Sequence, residues 1–352
     1  MRTSDFDYHL PHSSIAQTPA EPRDSSRLLV LHRNTGELEH HIFRDVADYL
    51  RAGDLLVLNQ TRVIPARIYA RKETGGRVEI LLLRRRAELA WEALVGGKGL
   101  RVGRILKVED GPDVEILEIR DGAERLIKFS EPIEQYFSSV GNVPLPPYIH
   151  EKLKDPERYQ TVYAKEPGSA AAPTAGLHFT PRLLEELQVK GVKIAYVTLH
   201  VGLDTFAPVT EEKPEEHKIH SEWCELSQET ADLINQTKKS GGRVIAVGTT
   251  SVRTLESAGI GNRESENDAS RSRLPNPESR VSPFSGPTSL FILPGYQFNV
   301  VDVIITNFHL PKSTLLMLVS AFVGREKILE TYQAAIQEGY RFYSFGDAML
   351  IL

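Results

Sequence analysis

Thr249, Thr250, Ser251 and Arg253 stand at a point where backbone and side chain together can hold a polar ligand. The run Arg243–Val247 before them is short and β-branched, as a buried strand is, and Gly248 breaks it. Val252–Ser257 continues as a helix. A strand, a hydroxyl-rich turn and a helix start bring free backbone N–H groups and the positive end of a helix dipole to one place. Arg253 adds a planar cation. Such a corner suits a carboxylate, a phosphate or a ribose. The same residues also read as a helix cap beside a core strand, with Arg253 in a structural ion pair. The GxxxxGK[ST] pattern of a P-loop is absent.

Similar polar groups recur wherever an apolar run ends. Asn59, Gln60, Thr61 and Arg62 follow Leu55–Leu58, and His200, Gly202, Asp204 and Thr205 follow Val192–Val201. Asn307, Phe308 and His309 close Val300–Thr306, while Ser344, Gly346 and Asp347 separate Tyr340–Tyr343 from Ala348–Leu352. Strand ends converge in an α/β layer, so these clusters are expected to line one cleft. In the stretch His217–Glu222, an extended chain puts His220 and Glu222 on one face. That pair suits acid–base work, a structural hydrogen bond, or zinc if the fold supplies a third ligand. Pro173–Thr180 offers Thr174, Gly176 and His178 in a loop of small residues before a helix capped by Thr180. It reads either as a ligand loop or as a plain helix entry. Tyr340, Phe342, Tyr343 and Phe345 suit stacking on a base or packing in a core.

The elements that position these groups are of two kinds. Up to Leu58 and again from about Pro173, short buried strands alternate with helices, which is an α/β pattern. From Ile68 to Phe129 only β-rich runs occur: Val78–Leu83, Ala90–Val95, Ile105–Val108, Val114–Ile119 and Arg125–Phe129, punctuated by glycines. The expected fold is therefore a large discontinuous α/β, barrel-like domain built from 1–62 and 152–352. A small all-β barrel domain, 63–151, is inserted in it. Leu290–Leu293 and Tyr340–Tyr343 read as further strands. Residues 261–287 hold six Ser and four Pro and read as a flexible insertion.

Composition narrows the class. The chain has 352 residues, 41% hydrophobic and 25% charged, the balance of a soluble globular protein. Cys224 is the single cysteine, so no internal disulfide and no cysteine-based zinc site can form. No stretch approaches the roughly 18 apolar residues of a membrane span, and the N-terminus lacks a signal-peptide core. The expected location is the cytoplasm. Net charge is −5, yet Arg62–Lys107 carries twelve Lys or Arg against four Asp or Glu, and Val108–Glu151 three against ten. This reads as a phosphate-facing basic patch, or as charges that alternate in space.

Taken together the motifs resemble one family, the S-adenosylmethionine:tRNA ribosyltransferase-isomerases of queuosine biosynthesis. They run from end to end in order: DFDYHLP (Asp5–Pro11), RLLVL (Arg27–Leu31), GDLLVLNQTRVIPAR (Gly53–Arg67), PTAGLHFT (Pro173–Thr180), VTLHVG (Val197–Gly202), HKIHSE (His217–Glu222), RVIAVGTTSVRTLES (Arg243–Ser257), TNFHLPKSTLLMLVSAF (Thr306–Phe322) and YRFYSFGDAML (Tyr340–Leu350).

The resemblance implies an enzyme that takes S-adenosylmethionine as ribosyl donor. The acceptor is the aminomethyl-deazaguanine (preQ1) at the wobble position of tRNA. The product is epoxyqueuosine, with adenine and methionine released. It implies no cofactor beyond that co-substrate, no metal, no membrane partner and a monomer. Its chemistry assigns proton transfer to His178, His220, Glu222 or His309. Substrate contacts fall to Asn59, Thr61, Arg62, Thr174, Gly176, His200, Gly202, Thr205, Thr249, Thr250, Ser251, Arg253, Asn307 and Asp347. Among these, Arg253 and the Gly248–Ser251 turn are candidates for the methionine carboxylate or a ribose hydroxyl. Asp347 and Glu222 are candidates for the aminomethyl cation. Arg67, Arg84, Arg85 and Arg86 are placed against tRNA phosphates. Asp204, where the family usually has Gly, and Gly96–Gly99 depart from the pattern. Two other classes compete: an S-adenosylmethionine-dependent tRNA methyltransferase and a non-catalytic tRNA-binding protein.

Overall fold

The computed structural model describes every residue except 121, 203–207 and 265–279, and for 260–264 the backbone alone. In chain order its strands are β1 (Arg27–Leu31), β2 (Leu38–Ile42), β3 (Leu55–Asn59), β4 (Thr61–Val63), β5 (Arg67–Arg71), β6 (Arg77–Arg85), β7 (Ala90–Val95), β8 (Ile105–Val108) and β9 (Asp113–Ile119). Then come β10 (Glu124–Phe129), β11 (Glu166–Ser169), β12 (Lys193–Leu199), β13 (Glu222–Leu226), β14 (Val244–Val247), β15 (Phe284–Thr288), β16 (Val303–Asn307) and β17 (Ala348–Ile351). The chain divides into two compact units. The larger comprises Met1–Thr61, Pro147–Glu166 and Pro173–Leu352, and the smaller Arg62–Pro146 with Pro167–Ala172.

The large unit is built on a nine-stranded sheet, in the order β15-β13-β12-β3-β14-β16-β17-β1-β2. Its central strands β3, β14 and β16 are buried at every position, as expected of a layer covered on both faces. Alternation sorts the side chains. Leu55 and Val57 join the core under the helices Gly248–Glu264, Thr314–Val323 and Arg325–Gln337. Leu56 and Leu58 join the opposite core with Leu183 and Leu187 of the helix Pro181–Val189. The fold is thus α/β, with helices on both faces of one mixed sheet.

Strand direction decides where the chemistry can sit. β12, β3, β14 and β16 run parallel. β13 is antiparallel to β12 and β17 to β16, while β1 is parallel to β17. The C-terminal ends of four strands and the N-terminal ends of β13, β17 and β1 therefore share one edge. Register confirms it: Val197 lies beside Asn59, Leu199 beside Cys224, Val247 beside Leu58 and Ile305, and Asn307 beside Ala348.

The small unit is a closed six-stranded barrel, β10-β7-β6-β5-β8-β9, with every pair antiparallel. Ile68, Val78, Ile80, Leu82, Ala93, Leu106, Val114, Ile116 and Phe129 fill its interior. Two register shifts, after Leu82 and after Leu126, supply the bulges that a small barrel uses to curve.

Several expectations are corrected here. Leu290–Leu293 and Tyr340–Tyr343 are not strands; both are irregular segments. The helix expected from Val252 begins at Gly248, whose φ of +83° turns the chain sharply out of β14, a conformation glycine adopts without strain. The insertion 261–287 is not uniformly flexible. Its start continues that helix to Glu264, its end forms most of edge strand β15, and 265–279 lie outside the described residues. The basic patch is largely compensated inside the barrel. Arg67 meets Glu79 at 3.3 Å, Arg85 meets Glu134 at 3.2 Å, and Arg86 meets Glu92 at 2.5 Å. Arg71 and Arg77 both reach Glu109 at 3.0 Å. Cation-rich β5 and β6 thus pair with the carboxylates that follow them. Arg84 makes no ion pair with any described residue.

Candidate active site

Two neighbouring cavities open at the polar edge of the large sheet. Leu315, on the helix Thr314–Val323, lines both. The first encloses about 530 Å³ of atom-free space, mouth included, and is lined by Gly202, His217, His220, Glu222, Arg253 and a wall of Leu and Ile around Phe291. The second, about 300 Å³, is lined by Tyr148, Thr174, Asn307, His309, Tyr343 and Ser344, among others.

The first cavity is organised by a buried ion pair. Glu222 opens β13 and Arg253 lies on the helix that leaves β14; each is 7% exposed. Nη1 of Arg253 donates to Oε2 of Glu222, and its Nε donates to the Leu290 carbonyl at 3.2 Å. Oε1 of Glu222 accepts from the Gly202 amide at 2.9 Å. Arg253 Nη2 is buried and has no partner among the described residues. His220 lines the same cavity from an exposed position, and His217 is held beside it by Glu211 at 2.9 Å.

The second cavity is organised by a hydrogen-bonded chain. Thr174 donates to Asn307 Oδ1 at 2.9 Å, which presents Asn307 Nδ2 to His178 Nε2 at 3.1 Å. His178 Nε2 is then the acceptor, and its Nδ1–H donates to Ser26 at 2.7 Å. Burial lowers the His178 pKa to about 4, so the ring is neutral at physiological pH. It stacks on Phe43 and touches neither cavity; it reaches the second one through Asn307. His309 does line that cavity. Burial lowers its pKa to about 3, and its Nε2 meets Thr306 Oγ1 at 2.8 Å. Tyr148 and Ser344 are hydrogen-bonded at 2.7 Å on the same wall.

Other expected residues serve these groups at one remove. Asn59 exchanges two hydrogen bonds with the Leu199 backbone and orients the Thr61 amide. Thr61 Oγ1 bonds His200 Nδ1 at 2.9 Å, and His200 stacks on Trp223. Burial also lowers the His200 pKa. Gly176 packs so closely under Tyr163 that a Cβ would lie 2.0 Å from its hydroxyl. Ser251 donates back to the Val247 carbonyl at 2.8 Å. Thr249 and Thr250 are buried in the same turn, and Thr250 Oγ1 has no partner among the described residues. Residues 248–251 line neither cavity. Asp347 accepts from the Arg27 and Arg341 amides and from the Arg341 guanidinium, and so ties β1 to the turn before β17. Tyr340, Phe342, Tyr343 and Phe345 are all buried, and Tyr343 also lines the second cavity. Arg62, Arg67, Arg84, Arg85 and Arg86 belong to the small unit. Asp204 and Thr205 lie outside the described residues. The apolar wall at Leu290–Ile292, and Tyr148 and Ser313 on the wall of the second cavity, were not anticipated. The first read as part of a strand, Leu290–Leu293.

Comparison with known proteins decides the family. A family model described as queuosine biosynthesis protein matches residues 3–351. The chain belongs to the queuosine biosynthesis family. Its relatives include the S-adenosylmethionine:tRNA ribosyltransferase-isomerases of Desulfitobacterium hafniense and Carboxydothermus hydrogenoformans, each 54% identical over the full length of both chains. The crystal structure of the S-adenosylmethionine tRNA ribosyltransferase of Thermotoga maritima is similar, at 40% identity and a TM-score of 0.55, covering 99% of this chain and all of that one. As a queuosine biosynthesis family member the chain is an enzyme. Of the motifs that carry the likeness, Gly53–Arg67, Val197–Gly202, His217–Glu222, Arg243–Ser257 and Thr306–Phe322 each pass through or reach the polar edge described above. Among the described residues no three His, Cys, Asp or Glu side chains gather to hold a metal ion, and no helix is long and apolar enough to cross a membrane.

Proposed function

We propose that the enzyme transfers and isomerises the ribosyl group of S-adenosylmethionine onto preQ1 at the tRNA wobble position, giving epoxyqueuosine-tRNA, adenine and methionine. S-adenosylmethionine is a co-substrate in this reading, and the protein needs no cofactor and no metal, works as a monomer and acts in the cytoplasm. One observation carries it. Two adjoining cavities at a single sheet edge bring a buried ion pair with a histidine at its mouth, and a second, neutral and buried histidine, to the same helix. The reaction asks for that combination. The sulfonium acidifies the neighbouring ribose carbon, so a positioned base must take a proton there; His220 lines the first cavity for that role, while Glu222 is committed there to Arg253. Departing adenine needs a donor or acceptor at its edge, and Asn307 and His309 present such atoms at the second. His178 acts through Asn307, as a positioning residue. The anticodon base must leave the stack to be read, and the uncompensated Arg84 is the barrel's candidate for a tRNA phosphate.

The test is direct. Incubate the enzyme with preQ1-bearing tRNA and S-adenosylmethionine, then follow free adenine and the mass of the modified nucleoside. Adenine appearing in step with epoxyqueuosine supports the proposal. A nucleoside heavier by one methyl group points to a methyltransferase, and unchanged tRNA that remains bound points to a non-catalytic binder.

A further inference from the structure

We propose that the cavity bounded by Glu222 and Arg253 receives the amino-acid end of S-adenosylmethionine and retains methionine after the ribose has left. The inference rests on the reading of S-adenosylmethionine as ribosyl donor, and it adds which end of the molecule goes where.

Three features of the cavity select this ligand. The first is an unmet need. Arg253 lines the cavity, is 7% exposed, and has a buried Nη2 with no partner among the described residues. A buried guanidinium nitrogen without an acceptor is costly, and a bound carboxylate would supply one. The second is charge balance. Glu222 already neutralises Arg253, so a bare anion such as phosphate gains little net attraction. A zwitterion places its carboxylate on the guanidinium and its ammonium towards the glutamate, and matches both charges. The third is the wall. Leu290, Phe291, Ile292 and Leu318 form an apolar surface suited to a thioether chain and its methylenes. A neutral purine would leave both charged groups unanswered. The second cavity has the opposite character, with amide, imidazole and hydroxyl groups of uncharged type, and suits a base edge. Leu315 stands between the two, where the ribose joining them would lie.

The experiment compares S-adenosylhomocysteine with 5′-methylthioadenosine, which lacks the amino-acid end, as inhibitors of ribosyl transfer. On the wild-type enzyme S-adenosylhomocysteine should inhibit more tightly. Arg253→Gln should weaken it by about 10- to 100-fold, the worth of a charge-assisted hydrogen bond, and leave 5′-methylthioadenosine nearly unchanged. Equal weakening of both inhibitors overturns the inference. Because Arg253→Gln also breaks the buried ion pair with Glu222, hydrogen exchange on the wild-type protein gives a second readout. L-methionine should slow exchange at Gly202 and Leu290–Ile292, and adenine should not. Protection by methionine at Asn307–Leu310 instead overturns the inference while ribosyl transfer continues. Absence of ribosyl transfer, with methionine still protecting Leu290–Ile292, refutes the function proposed above rather than the site.

Discussion

The buried pair Glu222–Arg253 offers a prediction that separates a structural role from a functional one. Arg253→Met removes the cation and leaves Glu222, 7% exposed, without its counter-charge; the Leu290 carbonyl also loses its 3.2 Å donor. Stranding one member of a buried ion pair costs about 3–5 kcal/mol. Glu222→Gln alone should cost less, because Gln still accepts from the Gly202 amide that now lies 2.9 Å from Oε1. The double variant Glu222→Gln/Arg253→Met carries neither charge, so it should recover most of the loss. Removing both members of such a pair is often close to neutral. The coupling energy of the cycle should therefore exceed about 2 kcal/mol. Urea unfolding on a Trp91→Phe background leaves Trp223, next to Glu222, as the sole tryptophan reporter of the large unit. A coupling below about 1 kcal/mol, the range of exposed pairs, would refute the reasoning. Recovered stability in the double variant should bring no recovered ribosyl transfer. If activity returns with stability, the pair is scaffolding.

Acid should begin to destabilise the large unit before carboxylates in general titrate. Burial holds His178 near 4 and His309 near 3 against an ordinary 6.5, so the unfolded chain binds more protons than the folded one across that interval. Their contribution is intact above 6.5 and falls as pH drops towards those values, by about 3 kcal/mol for His178. His309→Gln should flatten urea-midpoint titrations between pH 6.5 and 4, and an unaltered slope would contradict this. Gly176→Ala places a Cβ 2.0 Å from the Tyr163 hydroxyl and 2.9 Å from Thr161 Cγ2; it should destabilise by about 1–3 kcal/mol, and adding Tyr163→Phe should restore part of the loss. In the barrel, Arg84→Gln should lower the slope of log affinity for tRNA against log salt by about 0.7–0.9. Arg86→Gln, which breaks the 2.5 Å pair with Glu92, should instead lower barrel stability and change that slope little. The reverse pattern in anisotropy titrations would remove Arg84 from the phosphate contacts.

What the sequence disclosed, and what it hid, follows from the range of the interactions. Local signals were legible. Thr180, Ser227 and Ser313 cap the helices that follow them, accepting from Leu183, Thr230 and Leu316. The barrel strands Ala90–Val95 and Ile105–Val108 have the bounds their alternation suggests. The polar strand ends also pointed to a shared edge, because parallel buried strands leave few other arrangements. Non-local pairing was not legible. Arg85 meets Glu134 and Arg71 meets Glu109, so part of the apparent basic patch is neutralised by carboxylates distant in the chain. β15 was hidden because Gly286 and Pro287 weaken a strand signal, although at a sheet edge both are tolerated. Leu290–Leu293 and Tyr340–Tyr343 failed in the opposite sense. Their apolar content serves a cavity wall and a core turn, which short runs cannot distinguish from a strand. Arg253 illustrates both outcomes. Its two possible roles, ion pair and ligand contact, were both visible, and the orphaned Nη2 that favours the second was not.

The central claim is that the sulfonium donor gives up its ribose and keeps its methyl group. A single incubation with S-adenosylmethionine carrying one label in the ribose and another in the methyl group tests it. The account predicts ribose label in the tRNA, with the methyl label recovered entirely as free methionine. Methyl label in the tRNA, with the ribose label still attached to adenine, would contradict it.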